Sequence, residues 1–300
     1  MKNNVIKKKK GIRQNGLVFE IVSVTILGIY CFSLLFTLGW GLSISLKDII
    51  DFTLDPMGLP TSLRFSNYVN AFKELNTEVA WGDGRRSVEF LELLFNSLVF
   101  VIGTTCVSTF SHMTCAYVAA KYPRRITKLM HGIVVFLLAF PLISSIGAGL
   151  TLLKTTGIYN NRIPYILYCA NFLGTSFLIY YSAFKGVSNT YMEAAKLDGA
   201  GDVTIMFTIM VPMIKNLLLG LMLSGFIGQW QDWFTPMVYL PSYPTISYAL
   251  YQFQFNTNNS VSSVPVQTAG CIIVAIPTLI LFIIFRNKFI GNISFGGLKG

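Results

Sequence analysis

Charge is what this sequence has least of. Only 12% of its 300 residues are Asp, Glu, Lys or Arg, against 53% hydrophobic residues, and its mean hydropathy is +0.59. A soluble domain carries about a quarter of its residues as charges, so a water-soluble globule is excluded and a lipid bilayer is the expected solvent. Histidine is scarce too. His112 and His131 stand alone, without the H-E-x-x-H pair of a metalloprotease. The five cysteines (Cys31, Cys106, Cys115, Cys169 and Cys271) are scattered singly inside apolar runs with no C-x-x-C spacing. That pattern excludes a disulfide framework and a zinc ribbon and is that of buried thiols. No G-x-x-x-x-G-K-[ST] phosphate loop is present, so the chain has no nucleotide engine of that type. No nucleophile and base are spaced as in an intramembrane enzyme.

What the chain has in abundance is apolar runs. About 20 apolar residues cross the hydrocarbon core as a helix, and six runs qualify: Val18 to Leu38, Leu93 to Ala116, Leu129 to Leu153, Tyr165 to Phe184, Leu217 to Leu240 and Thr268 to Phe285. Gln229, Gln231 and Asp232 interrupt the outer half of the fifth; polar groups at that depth point to a cavity rather than lipid. The predicted fold is an all-α membrane protein of six spans.

The formal charge of +10 follows topology. Lys2, Lys7, Lys8, Lys9, Lys10 and Arg13 precede the first span; Lys121, Arg124, Arg125 and Lys128 separate the second from the third; Arg286 and Lys288 follow the last. The positive-inside rule places all three groups, and both termini, in the cytoplasm. Between the first two spans, Asp48, Asp51, Asp55, Glu74, Glu78, Asp83 and Glu89 outnumber five basic residues, so that segment belongs outside. A nucleic-acid partner is not expected, because the lysine run lacks interleaved aromatics and a folded basic face. Residues 1–17 form a basic tail, and the run after them is too long for a signal peptide and ends without a small-x-small cleavage pattern.

One polar segment lies between apolar runs: Ser188-Asn-Thr-Tyr-Met-Glu-Ala-Ala-Lys-Leu-Asp-Gly-Ala-Gly-Asp202. Thr190 followed three residues later by Glu193 matches a capping box, and Ala194, Ala195, Lys196 and Leu197 propagate a helix. Gly199 permits a turn that residues with a β-carbon resist. Asp202 is placed to cap a second helix running into Pro212 and the fifth span. As a plain amphipathic connector this segment would need no acidic pair Glu193/Asp198, no small-residue face and no hinge glycine within eight residues.

The run matches the pattern E-A-A-x-x-D-G-A, then eleven residues, then proline, and so resembles the EAA loop of ABC-importer membrane subunits. Phe95-Asn-Ser97, Pro141, Gly157-Ile-Tyr-Asn160, Gln229-Trp-Gln-Asp232 with Pro236, and the terminal Phe295-Gly-Gly-Leu-Lys-Gly300 are similar to landmarks of its maltose-type carbohydrate branch, in particular the six-span partner subunit. The family often has a second proline where this chain has Asn216, a departure that touches the start of the fifth span. The resemblance implies that residues 18–300 are one importer transmembrane domain, and that a two-helix loop at about 188–215 between spans four and five docks in a cleft of a separate ATPase. Glu193, Ala194, Ala195, Asp198 and Gly199 are then the coupling residues: Glu193 meets a basic partner, the alanines allow close approach, and Gly199 sets the bend. It further implies a second homologous permease, two ATPase subunits or a shared ATPase homodimer, an extracellular solute-binding protein, a sugar substrate, surrounding lipid and location in a bacterial inner membrane. ATP is hydrolysed by the partner, and no cofactor is bound by this chain.

A sugar passage needs aromatic planes beside amide or carboxylate groups, which Gln229, Trp230, Gln231, Asp232 and Trp233 supply. The same tryptophans also suit an interfacial aromatic belt. The polar, aromatic stretch from Tyr243 through Pro244, Tyr248, Tyr251, Gln252 and Gln254 to Asn256, Asn258 and Asn259 is expected outside. By the resemblance it faces the binding protein; read locally it is an external hairpin rich in turn formers. The rival function is an ion-driven secondary carrier, which calls for ionisable pairs within the spans and internal repeats; neither is evident.

Overall fold

The computed structural model describes residues 2–81, 84–139, 146–255 and 263–290. The chain divides into two units, residues 1–71 with 258–272 and residues 72–257 with 273–300.

In the first unit, α1 (Lys2–Ser45) continues without a break from the basic tail into an apolar stretch, Val18–Ser45, whose 28 residues exceed what a span requires. Beyond it come α2 (Ile49–Leu54) and the start of α3 (Ser66–Glu74). The Asp48 carboxylate accepts from the Ile50 amide and pairs with Arg64 at 2.9 Å. Buried Asn67 donates to the carbonyls of Ser45 (2.9 Å) and Lys47 (2.8 Å), so the carbonyls left open where α1 stops are satisfied by a side chain.

The second unit opens with a hairpin, β1 (Thr77–Trp81) and β2 (Gly84–Val88), paired antiparallel from Thr77↔Val88 to Trp81↔Gly84. Then follow α4 (Phe90–Lys121), α5 (Arg125–Ala139), α6 (Ile146–Thr155), α7 (Arg162–Tyr168), α8 (Thr175–Gly186) and α9 (Thr190–Leu197). After α9 come α10 (Asp202–Thr204), a π-helical stretch (Ile205–Met210), α11 (Val211–Met213), α12 (Lys215–Gln231), α13 (Phe234–Tyr239), α14 (Ile246–Phe255) and α15 (Val264–Ile290). The core lies where α4 and α8 face each other, through Met113, Ala116, Tyr117, Phe177, Tyr180 and Phe184, and Ala195, Ile205, Met206, Met210 and Ile214 close it. Between lipid-embedded helices such contact is held by dispersion and close packing rather than by water exclusion.

Among the described residues, three helices are long and apolar enough to span: Val18–Ser45, Phe90–Lys121 and Val264–Arg286. Residues Asp202–Met213 and Lys215–Gln231 make a fourth if taken as one span bent by 82°. The third expected run is carried by α5 and α6, and Pro141 between them lies outside the described residues. The fourth run is broken rather than continuous. α7 stops at Tyr168 and α8 starts at Thr175, with Gly174 at φ 146 between them. The backbone groups freed there find side chains: the Leu173 amide donates to Asn171 Oδ1 (3.0 Å), and its carbonyl accepts from His112 Nε2 (3.2 Å). The fifth run also stops early as a helix, at Gln231. The Asp232 carboxylate there accepts from the Thr235 amide (2.9 Å) and starts α13. The break at Gly174 falls inside an apolar run and does not show in it, whereas at Asp232 the interrupting polar residues were visible in the sequence and the structure adds that the helix stops there.

Candidate functional site

The polar segment folds as two short helical pieces about a glycine. Thr190 and Glu193 do not form the expected capping box. Thr190 is the first helical residue, its amide donates to Ser188 Oγ at 3.3 Å, and Asn189 holds the cap position with no side-chain cap bond. The reason is tertiary: Asn189 Oδ1 accepts from Lys121 Nζ at 2.9 Å. The Glu193 carboxylate is exposed and enters no ion pair among the described residues.

The other end matches expectation in detail. Gly199 has φ +83, its amide donates to the Lys196 carbonyl (3.0 Å), and the Ala200 amide donates to the Ala195 carbonyl (2.9 Å). These two bonds make a Schellman motif. A β-carbon at Gly199 would have nothing within 4 Å, so the demand for glycine there is one of backbone angle alone.

Asp202 does not cap the second helix, since Gly201 occupies the cap and Asp202 is the first helical residue. Its carboxylate accepts from the Tyr122 hydroxyl (2.7 Å) and pairs with Lys196 Nζ (3.0 Å). The Lys196 ammonium also stands 5.3 Å from the Tyr122 ring centre. The Tyr122 hydroxyl, and then Lys196, hold the Asp202 carboxyl below the usual carboxylate range. Burial, reinforced by Asp202, pushes the Tyr122 hydroxyl up. A second bend, of 82°, falls at Ile214, two residues past Pro212.

The paired alanines face opposite ways. Ala195 is 7% exposed and seals the core beneath α9, whereas Ala194 is exposed beside Glu193 and Asp198. Leu197, which the sequence marked only as a helix former, is 90% exposed. It is an apolar side chain left open on a polar segment, next to Asp198 and one helical turn from Glu193.

The residues proposed for a sugar pathway separate. Trp230 is 3% exposed; its indole N–H donates to the Val274 carbonyl of α15 (3.0 Å) and its ring stacks on Phe226. Its own carbonyl accepts from Ser247 Oγ. Trp233 is half-buried and lies flat on Tyr251, ring centres 3.8 Å apart and planes 4° off parallel. Gln229 and Asp232 are half-buried. Gln252 donates to the Tyr248 hydroxyl and accepts from Thr77, tying α14 to the hairpin. Arg162, which sequence reading passed over, donates to Asn96 Oδ1 (2.8 Å) and sits over the Tyr243 ring at 4.3 Å. Asn256, Asn258, Asn259 and the terminal Phe295 to Gly300 lie outside the described residues. Among the described residues no three His, Cys, Asp or Glu side chains are grouped to hold a metal.

The family described as binding-protein-dependent transport system inner membrane component matches residues 113–289, from the second half of α4 through the polar segment to α15. The chain belongs to that family. A diacetylchitobiose uptake system permease protein of Streptomyces coelicolor is 25% identical over 289 residues, covering 94% of this chain and 89% of the relative. A maltodextrin transport system permease protein of Streptococcus pneumoniae is 25% identical over 303 residues, covering 99% and 100%. The fold is that of a bacterial ABC transporter involved in import of the acidic polysaccharide alginate. That structure has 23% sequence identity and a TM-score of 0.72, with 91% of this chain and 96% of that chain covered. Within the matched region α4 and α15 are long and apolar enough to cross a membrane, α12 only together with the short helices before it, and the segment around Gly199 is a polar interruption.

Proposed function

We propose that this permease forms half of the translocation pathway of an ATP-driven importer for a sugar or oligosaccharide, and that residues 188–215 dock it on a separate ATPase. The observation that carries the coupling role is the exposed face of α9: Leu197 uncovered between Glu193 and Asp198, above a helix whose other side is locked into the core through Ala195. A helix so anchored passes on a push applied to its outer face. The Schellman turn at Gly199 fixes the angle at which it does so.

In this reading six spans are made by α1, α4, α5 with α6, α7 with α8, α12 with α13, and α15. Both termini face the cytoplasm of a bacterial cell, as the basic residues require. ATP is bound and hydrolysed by the ATPase subunits, two copies or a shared homodimer, and a second homologous permease completes the pathway. The family's dependence on binding proteins supports an extracellular solute-binding protein as the donor, and the sugar relatives support a carbohydrate cargo. Gln229, Asp232 and the Trp233–Tyr251 stack offer hydroxyl partners and a ring face, with Trp230 holding α12 on α15 behind them.

The test is mild-detergent extraction followed by mass spectrometry of what co-purifies, then uptake in sealed vesicles. A P-loop ATPase, a second permease and ATP-dependent sugar uptake are expected. Uptake that persists without any ATPase and collapses with the proton gradient would establish a secondary carrier instead.

A further inference from the structure

The last two residues of the α4 region do something that their position as flanking charges does not require. Lys121, the final residue of α4, is only 6% exposed. Its ammonium donates to the Val187 carbonyl (2.5 Å) and to Asn189 Oδ1 (2.9 Å), and among the described residues no carboxylate pairs with it. Val187 is the residue that ends α8 and Asn189 the one that caps α9. A buried ammonium needs its three donors satisfied, and here the acceptors are those of the joint at which α9 begins. The next residue, Tyr122, grips the far side of the Gly199 turn: its hydroxyl holds Asp202, and its ring stands under Lys196. The end of α4 thus holds α9 at its start and across its closing turn.

The other end of α4 is held as firmly. Buried Asn96 donates to the Pro244 carbonyl (3.1 Å), and buried Ser97 accepts from the Ile246 amide (2.8 Å). These acceptor and donor groups belong to the segment that opens α14, and α14 is tied through Gln252 to the hairpin. From Ser97 to Lys121, between the two grips, α4 is one uninterrupted helix with about 36 Å of rise, longer than the hydrocarbon core of ~30 Å.

We propose that Lys121 and Tyr122 are positioning residues that make α4 a rod clamped at both ends, so that movement of α9 reaches the Pro244–Ile246 segment directly rather than by way of α12. The proposal rests on the ATPase-docking reading of α9. It adds a partner for that motion on the opposite side of the membrane, where a solute-binding protein would stand. Each grip is a set of directed hydrogen bonds to a continuous helix, and coupling between the two grips is what the double variant measures.

The experiment uses the whole transporter in proteoliposomes, with its ATPase, second permease and sugar-loaded binding protein. Basal ATP hydrolysis, hydrolysis stimulated by the loaded binding protein, uptake and co-purified ATPase are all read. Lys121→Met is expected to lower stimulated hydrolysis and uptake at least tenfold, with the amount of bound ATPase unchanged and part of the loss restored by Lys121→Arg. Tyr122→Phe, which keeps the buried ring and removes one hydroxyl, gives a smaller loss of the same kind and serves where Lys121→Met folds poorly. Ser97→Ala, at the far end, reproduces the loss of stimulation. In the double variant Lys121→Met/Ser97→Ala the losses do not multiply, because one rod already released at one end has little left to transmit.

Multiplying losses, or wild-type stimulation in Lys121→Met, overturn the rod. So does loss of bound ATPase from Lys121→Met, which makes the clamp a docking scaffold only. If the unmutated complex contains no ATPase and shows no stimulation, the docking reading itself falls and the rod falls with it.

Discussion

Gly199 allows the coupling role of the bend to be tested without disturbing packing. Its φ of +83 closes the Schellman turn, while the space around a β-carbon there is empty to 4 Å. A β-carbon therefore meets no steric obstacle, and the cost of Ala is backbone strain, which every larger substitution shares. For Ala the left-handed region costs about 1–2 kcal/mol. A β-branched Ile raises this to roughly 3 kcal/mol, and Asn, which tolerates that region, stays well below Ala. About 1–2 kcal/mol is a factor of roughly 5–30 in the population of the correct turn, and 3 kcal/mol is roughly two decades. ATP-dependent uptake should therefore fall in the order Gly, Asn, Ala, Ile, with Gly199→Asn close to wild type. The amount of protein inserted in the membrane stays constant throughout, because the spans are untouched. The assay is initial uptake in sealed vesicles, normalised to inserted protein. Normal transport by Gly199→Ile would refute the role of the bend. Equal damage from Asn and Ile would refute the reasoning from backbone angle.

Three further outcomes follow from the same geometry. Glu193→Ala removes an exposed carboxylate that the fold does not use, so thermal stability should hold to within about 0.5 kcal/mol while less ATPase co-purifies, a milder defect than Gly199→Ile; a destabilised protein would mean that Glu193 belongs to the fold. Asp202, whose folded-state carboxyl is held below its ordinary value by Tyr122 and Lys196, adds stability that is complete above the unfolded value and is lost as pH falls through the folded one. The melting difference between wild type and Asp202→Asn should therefore be largest near neutrality, begin to shrink as pH falls past about 4 and vanish only below the lowered folded-state value, and a difference that grows on acidification would be the wrong sign. Trp230→Phe, which takes the buried indole donor from Val274, should cost about 1–2 kcal/mol of stability with half-saturation for sugar unchanged. Trp233→Ala should shift that half-saturation, and a reversal of the two would exchange their roles.

How far the sequence can be read is shown by where its rules were local. The Gly199 turn was legible because a positive φ at a helix end is a demand one residue makes on itself. The exposed setting of Glu193 and Asp198 was legible from charge. The capping box failed because two hydroxyls, Ser188 and Thr190, sat within reach of the helix start, and the choice was made by Lys121 from 68 residues away. Asp202 was read as a cap for the same reason: its partners Tyr122 and Lys196 lie outside any local pattern. The break at Gly174 was hidden inside an apolar run, the polar residues around Asp232 were legible but not the end of the helix there, and Trp230 and Trp233 differ only in what packs against them. Lys121 carried a signal, being a lysine at the boundary of an apolar run, but the positive-inside rule accounted for it fully and left no residue of evidence for its burial.

The π-helical stretch Ile205–Met210, with Ile205, Met206 and Met210 buried, has a consequence for how this chain can change over evolution. A π-helical turn holds one residue more than the α-helix it replaces. Most single-residue deletions in a packed helix throw every later side chain off its face. Here the loss of one residue is absorbed by a return to α geometry. Single-residue gaps among related permeases should therefore collect between Ile205 and Met210. Each such gap leaves the side chains on both sides of it on their original faces, so this is the one place in the segment where length can vary while α12 keeps its packing.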